Sequence, residues 1–386
     1  MSAVAQAVRA HREPARSDAD PHLLAIVLVL LGFGLVMAYS ASIAMTGSGV
    51  DVNFRFLARH GAHITIGLLS MAIIARTHVS WWQRMGPWLM LVGILLLCAV
   101  LFSALGGTVN GSSRWLRIGP LQVQPSEFVK VFMVVYTAGY LTRRREQLGS
   151  FTGGIVMIGL VVAVVGTLLL LEPDFGSLVV ITATVAGMIF LGGVRFWHFA
   201  VCLLIGATGM ALLTFASPYR MERVMAFLNP WSDPFDSGFQ LVQALIAFGR
   251  GELFGVGLGS SVQKLHYLPA ANTDFLLAVI AEELGLIGVM AVIVLFGFLI
   301  WHAFSIARRA ELTGNVFAAR LVQGVGLLIG LQAIINMGVN MGVLPTKGLT
   351  LPFMSYGGSS LVACCMAAGL LMLVHRETRP KPGGRR

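Results

Sequence analysis

Charge is scarce in this sequence. Of its 386 residues only 11% are charged while 56% are hydrophobic, and mean hydropathy is +0.82. Soluble domains carry about 25% charged residues, so the chain reads as a polytopic membrane protein. Cysteine is scarce as well: Cys98, Cys202, Cys364 and Cys365 all sit inside apolar runs. No loop holds a pair that a disulfide could staple, no CxxC occurs, and no His/Cys cluster has metal-ligand spacing. The four thiols therefore read as small apolar packing residues. Acids number 17 against 27 bases, for a net charge of +10. No separate basic domain accompanies that excess, which argues against a nucleic-acid partner; most cations lie between apolar runs, where membrane topology explains them. Fixed-period repeats and long polar linkers are missing, so nothing divides the apolar region into two domains.

What is present is a series of apolar runs. A span needs about 20 mostly apolar residues. Ten are predicted, at roughly 22–42, 57–75, 85–105, 127–142, 151–171, 176–193, 197–216, 275–304, 319–340 and 357–375. The expected fold class is all-α, with a disordered N-tail (1–20), one ten-span membrane domain (21–375) and a basic C-tail (376–386). The first run ends in "AYSASIA", whose small residues fit a cleavage site. Its apolar stretch exceeds the roughly 7–15 residues of a signal core, so an uncleaved anchor is expected. Both tails and the connections near 76–84, 143–147, 194–196 and 305–320 hold 17 of the 27 Lys and Arg, which places them in the cytoplasm. Ten cations fall on the other side, against that trend. An anionic substrate outside the cell is the simplest reason for them.

The outer connections are unusual. Residues 218–274 form a 57-residue loop with its own apolar runs. Within it "SGFQLVQALIAFGRGE" reads as a short helix from a Ser-Gly start to a Gly stop, and the whole loop is expected to roof a cavity. "GVGLGSS" lacks the spacing of a phosphate loop and reads as a flexible or close-packed turn. In "RWLRIGPLQVQPSEFVK", Ser126 is placed to cap the fourth span and Glu127 to pair with Lys130 one turn on. "LEPDFGS" offers Glu172 and Asp174, the latter a candidate N-cap. "VLPTKGLTLPFMSYGGSS" brings Lys347 and Ser355 on irregular backbone, which survives near membrane depth only where protein or water satisfies it. Glu282 and Glu283 stand two turns into the eighth span; such carboxylates face a cavity or a partner. Asp274 stands at that span's threshold, where an N-cap is the plain alternative to chemistry.

These segments together resemble the SEDS family (shape, elongation, division and sporulation) over nearly the whole chain. The similarity is carried by "RWLRIGPLQVQPSEFVK", "EPDFGS", "NPWSDPFDSGFQLVQALIAFGRGELFGVGLGSSVQKLHYLPAANTDFLLAVIAEELG" and "GVLPTKGLTLPFMSYGGSS". Thr346-Lys347-Gly348 and the "NPW…GFQL…AFGRGEL" loop look like its cell-division branch. The resemblance implies ten helices with cytoplasmic termini in the inner membrane, at the division septum. It also implies a peptidoglycan glycosyltransferase that polymerises lipid II into glycan strands on the outer face, beside a class B penicillin-binding protein and other divisome membrane proteins. The family pattern often carries Glu, Glu and His where this chain has His266, Ala270 and Asn272, so those three positions are not required for chemistry here. Asp274 does match.

Glycan polymerisation needs a sugar hydroxyl to attack an anomeric carbon bearing a pyrophosphate. A positioned carboxylate can remove the hydroxyl proton, and Asp274 is the candidate base. Arg114, Lys130, Arg223, Arg250 and Lys347 are candidates to hold the pyrophosphate, with Glu127 and Ser355 as further substrate contacts and Glu172, Asp174, Glu282 and Glu283 in support. No cofactor is implied; a divalent cation (Mg2+ or Mn2+) on the pyrophosphate is compatible with the chemistry, but the sequence shows no metal site. Two rivals from other classes remain at this point: a lipid II flippase, and a scaffold that only recruits the crosslinking enzyme.

Overall fold

The structure is a computed structural model describing residues 20–42, 50–102, 106–109, 112–119, 121–150, 152–265 and 267–379. Residues 1–19 of the predicted N-tail (1–20), His266 and the extreme C-terminus lie outside the described residues; Asp20, placed in that tail, is instead buried and hydrogen-bonded at the start of the first helix, and the last helix runs on to Thr378 within the predicted C-tail. Long helices occur where the apolar runs predict them: α1 (Pro21–Ser42), α2 (Val50–Arg76), α3 (Val79–Phe102), α4 (Pro125–Arg143), α5 (Met157–Leu171), α6 (Phe175–Leu191), α7 (Phe196–Phe215), α10 (Leu276–Leu312), α11 (Val316–Asn340) and α12 (Gly358–Thr378). Between α7 and α10 lie two shorter helices, α8 (Pro218–Leu228) and α9 (Phe239–Gly251). The second is the helix read from the Ser-Gly and Gly signals. By length and composition, eight helices among the described residues can cross a membrane. Of the other two long ones, α6 is apolar but has 17 residues, and α4 carries Glu127 and Lys130 in its first two turns.

Burial divides the bundle into centre and rim. The apolar windows of α11 and α12 are 72% and 83% buried, whereas none of the residues in that of α7 is buried. A helix apolar on all sides yet uncovered has lipid as its solvent. α12 packs against α2, and α10 against α11.

Two local features depart from the expected pattern. The segment before α4 is not irregular: β1 (Gly106–Val109), β2 (Ser112–Ile118) and β3 (Leu121–Val123) form a three-stranded antiparallel sheet in the order β1-β2-β3. The fold is thus mostly helical rather than purely so. Second, α10 is broken. Gly285 has φ 66° and ψ −163° inside the helix, and a Cβ there would lie 2.4 Å from Gly255 N. Only glycine takes that backbone and that approach without strain. The break frees backbone groups deep in an apolar environment, and the large loop satisfies them. Val256 N and Gly257 N donate to the carbonyls of Glu282 and Glu283, while Leu286 N and Ile287 N donate to those of Glu252 and Leu253. Of the two readings of "GVGLGSS", flexible or close-packed turn, the structure shows the close-packed one, spent on the helix break.

Candidate active site

Asp274 lies immediately before α10, on a turn held from behind. Asn336 and Asn340 of α11 donate to its carbonyl at 2.8 and 2.9 Å. Ser355 Oγ donates to the carbonyl of Thr273 at 2.5 Å and accepts from Leu351 N at 2.9 Å, and Tyr356 N donates to Asn272 O. Ser355 thus braces the Asp274 turn, and its hydroxyl is already engaged. Ala270, four residues before Asp274, is in the left-handed region at φ 56°, a strained conformation of the kind that persists where surroundings over-determine the backbone.

The capping alternative for Asp274 fails. The N-cap of α10 is Phe275, no side chain caps there, and the amide of Ala278 is taken by Asn340 Oδ1 at 3.1 Å. Among the described residues no hydrogen bond engages the Asp274 carboxylate. Its surroundings are charged instead. Burial raises its pKa to about 6, against the pull of Arg114 and Arg223 and with the push of Glu127 and Asp174. A Cβ at Gly348 would stand 3.4 Å from Asp274 Oδ2, so the Thr346–Gly348 segment lies against the carboxylate.

Lys347 extends from that segment over the Phe175 ring, with Nζ 3.7 Å from the centroid; Arg220 approaches the same ring at 5.0 Å. Burial, then Arg223 and Arg220, hold the Lys347 pKa down to about 8. Arg223 donates to the Thr346 carbonyl at 3.2 Å. Arg114 of β2 donates to the carbonyls of Glu172 (3.2 Å) and Pro173. The Glu172 side chain is fully buried with neither oxygen hydrogen-bonded, and burial with Asp174 nearby raises its pKa to about 8. At neutral pH it is an uncharged acid.

Below this surface lies a polar chain. Asp174 caps α6 as expected, accepting from Ser177 N at 3.2 Å. Its other oxygen accepts from Ser126 Oγ at 2.8 Å. Ser126 therefore does not cap α4, whose N-cap is Gln124 with no side-chain bond; the hydroxyl is spent on Asp174. Glu127 and Lys130 pair as predicted, at 2.8 Å, and Lys130 also donates to Gln332 Oε1 at 2.8 Å. They line a cavity of ≈ 10 Å³ with Gln332 and Cys364, room for about one water.

The structure thus gathers Arg114, Arg223, Glu127 and Asp174 around Asp274, with Glu172 beside Arg114 and Asp174, Lys347 beside Arg223 over Phe175, and Lys130 and Ser355 behind them. It does not bring Arg250, Glu282 or Glu283 there. Glu282 accepts from Ser261 Oγ, Val262 N, Gln263 N and Arg250 Nη1. Glu283 accepts from Ser40 Oγ and from Lys264 Nζ at 2.7 Å. These groups clamp the large loop to the break in α10. Lys264, which its loop position would make a solvated cation, is 3% exposed. Reasoning from the sequence passed over Gln332, Asn336 and Asn340, although amides at i, i+4 and i+8 in an apolar helix mark one polar stripe.

A family profile described as "Cell cycle protein", covering FtsW, RodA and SpoVE, matches residues 21–380. The chain is 51% identical over 360 residues to a probable peptidoglycan glycosyltransferase FtsW of Nitrosococcus halophilus, covering 93% of each. It is 48% identical over 377 residues to one of Allochromatium vinosum, covering 97% of this chain and 94% of that one. Among solved structures it is similar to a chain of a peptidoglycan synthase complex that coordinates polymerization and crosslinking (TM-score 0.74, 28% identity, 94% of this chain and 99% of that one). The rod shape determining protein RodA of Thermus thermophilus is similar as well (TM-score 0.68, 27% identity, 95% and 100%). Apolar helices, a polar site built around one carboxylate, and sequence similarity along nearly the whole chain agree: this protein belongs to the FtsW/RodA/SpoVE family of cell cycle proteins.

Proposed function

We propose that the chain is a peptidoglycan glycosyltransferase of cell division, polymerising lipid II at the outer face of the cytoplasmic membrane with Asp274 as general base. The observation that carries this reading is the state of Asp274: a carboxylate at the mouth of a membrane helix, without a hydrogen bond among the described residues, in the field of Arg114 and Arg223, with the Lys347–Gly348 backbone against it. In the reaction a sugar hydroxyl oxygen forms a bond to the anomeric carbon of a second chain. The bond from that carbon to the pyrophosphate breaks, and the polyprenyl pyrophosphate leaves with the electron pair. Asp274 takes the hydroxyl proton. Lys347, Arg223 and Arg114 stand where the leaving group's charge grows. A divalent cation, Mg2+ or Mn2+, would add positive charge to the leaving pyrophosphate; sensitivity of turnover to EDTA tests that point.

Topology follows from parity. All ten long helices cross, so the termini are cytoplasmic and Arg114, Asp274 and Lys347, preceded by three, seven and nine crossings, share the outer compartment. A membrane-impermeant thiol reagent on spheroplasts should label a cysteine at Ser237 and spare one at Ser150 in a cysteine-free background; the reverse pattern overturns the assignment. A class B penicillin-binding protein and other divisome membrane proteins are the expected partners at the septum. The activity itself is tested with purified protein and lipid II in detergent, where no second leaflet exists. Glycan strands are expected. Their absence, together with lipid II translocation in vesicles, would favour a flippase.

A further inference from the structure

At the opposite end of the bundle from Asp274, three side chains that lie far apart in sequence converge. Asp20 precedes α1, His302 lies seven turns into α10, and His375 is in the last turn of α12. Asp20 Oδ2 is 2.5 Å from His302 Nε2 and 2.8 Å from His375 Nδ1. Their side chains are 2%, 12% and 11% exposed. All three donor atoms lie within 4.8 Å of one another. We propose that Asp20, His302 and His375 form a binding site for a zinc-class divalent ion that ties the start of α1 to α10 and α12.

The donor set is the argument. Two imidazole nitrogens and one carboxylate oxygen suit zinc and its neighbours and do not suit magnesium or calcium, which take oxygen. The donors come from three elements, so their convergence is a product of the fold and not of local spacing. With metal–ligand bonds of about 2.0–2.1 Å, tetrahedral donors stand roughly 3.3 Å apart. The two Asp20 contacts are shorter, as hydrogen bonds are, so loading the ion requires each imidazole to part from Asp20 by less than about 1 Å. A fourth position is left for water or for His22, whose ring lies 6.4 Å from that of His302. Two cations oppose the ion, Arg309 and Arg379, both in the field of His375. Arg309 Nη2 lies 3.1 Å from His375 Nδ1 and competes for the same lone pair, but its side chain is exposed and can swing into solvent. This site is separate from the Asp274 chemistry.

The test uses tag-free, full-length protein in detergent, stripped with chelator and titrated with Co2+. A visible d–d band that saturates at one ion per chain, and that Zn2+ bleaches, is expected. Loss of even an outer partner of a metal ligand typically weakens binding about 10–100-fold, so Asp20→Asn and His302→Gln should each weaken Co2+ binding at least ~10-fold. Arg309→Gln should tighten it, a gain that misfolding cannot mimic. Absence of a saturable band, or a band untouched by Asp20→Asn, His302→Gln and Arg309→Gln alike, overturns the proposal and leaves a hydrogen-bonded staple.

Discussion

Asp274 and the pair Glu282–Glu283 lie eight residues apart on the same stretch of chain, and the fold treats them in opposite ways. Glu282 has four donors and Glu283 has a lysine and a serine. Both are fully buried, and all of those contacts but one, from Ser40 of α1, fix the large loop to the broken helix. Asp274 has no donor on its carboxylate, while its backbone and the two residues before it are fastened by Asn336, Asn340, Ser355 and Tyr356. A carboxylate spent on hydrogen bonds holds structure; one that is held by its backbone and left open is poised for chemistry.

The contrast can be broken first at the clamp. Lys264→Met strands Glu283 as a buried unpaired charge, and breaking such a pair costs about 3–5 kcal/mol. A large drop in detergent melting temperature is expected; a melting temperature equal to wild type would mean that the clamp contributes little. At the proposed site, Lys347→Met removes a cation assigned to the leaving group. Loss of one preorganised electrostatic donor costs about 10²–10³ in kcat, and a lipid II titration should show that loss with melting unchanged.

The segments that presented the site were legible because their signals are local. Asp174 caps a helix three residues from its acceptor's donor, Glu127 and Lys130 are one turn apart, and α9 has its own start and stop. The partners that give these groups their roles were not legible. Ser126 finds Asp174 across 48 positions and Lys264 finds Ser40 across 224. No spacing rule reaches that far, so a hydroxyl placed like a cap proved to be a bridge and a loop lysine proved to be buried. The sheet at 106–123 escaped for another reason: its strands are 3 to 7 residues long, too short for alternation to stand out.

A subtler way to sharpen the comparison is pH. Burial favours the acid form of Asp274, with a pKa near 6, so the base is lost as pH falls through about 6. Lys347 favours its neutral form, with a pKa near 8, so its charge is lost as pH rises through about 8. The rate profile should be bell-shaped with those limbs. Lys347→Arg keeps its charge and should move the alkaline limb upward; a limb that stays near 8 would point to Glu172, which ionises in the same range. The smallest expected effect is at Ser355→Ala, which leaves the Leu351 amide without its acceptor and costs about 1–3 kcal/mol of stability, read as a modest fall in melting temperature.

The most direct measurement is the rate of lipid II polymerisation by Asp274→Asn in detergent, taken beside its melting temperature and its lipid II binding. Asparagine keeps the size of the side chain and cannot accept the proton. Polymerisation should fall about 10²–10⁴-fold, with melting and binding close to wild type. Glycan made at the wild-type rate, or a collapse in melting that matches Lys264→Met, would contradict Asp274 as the base.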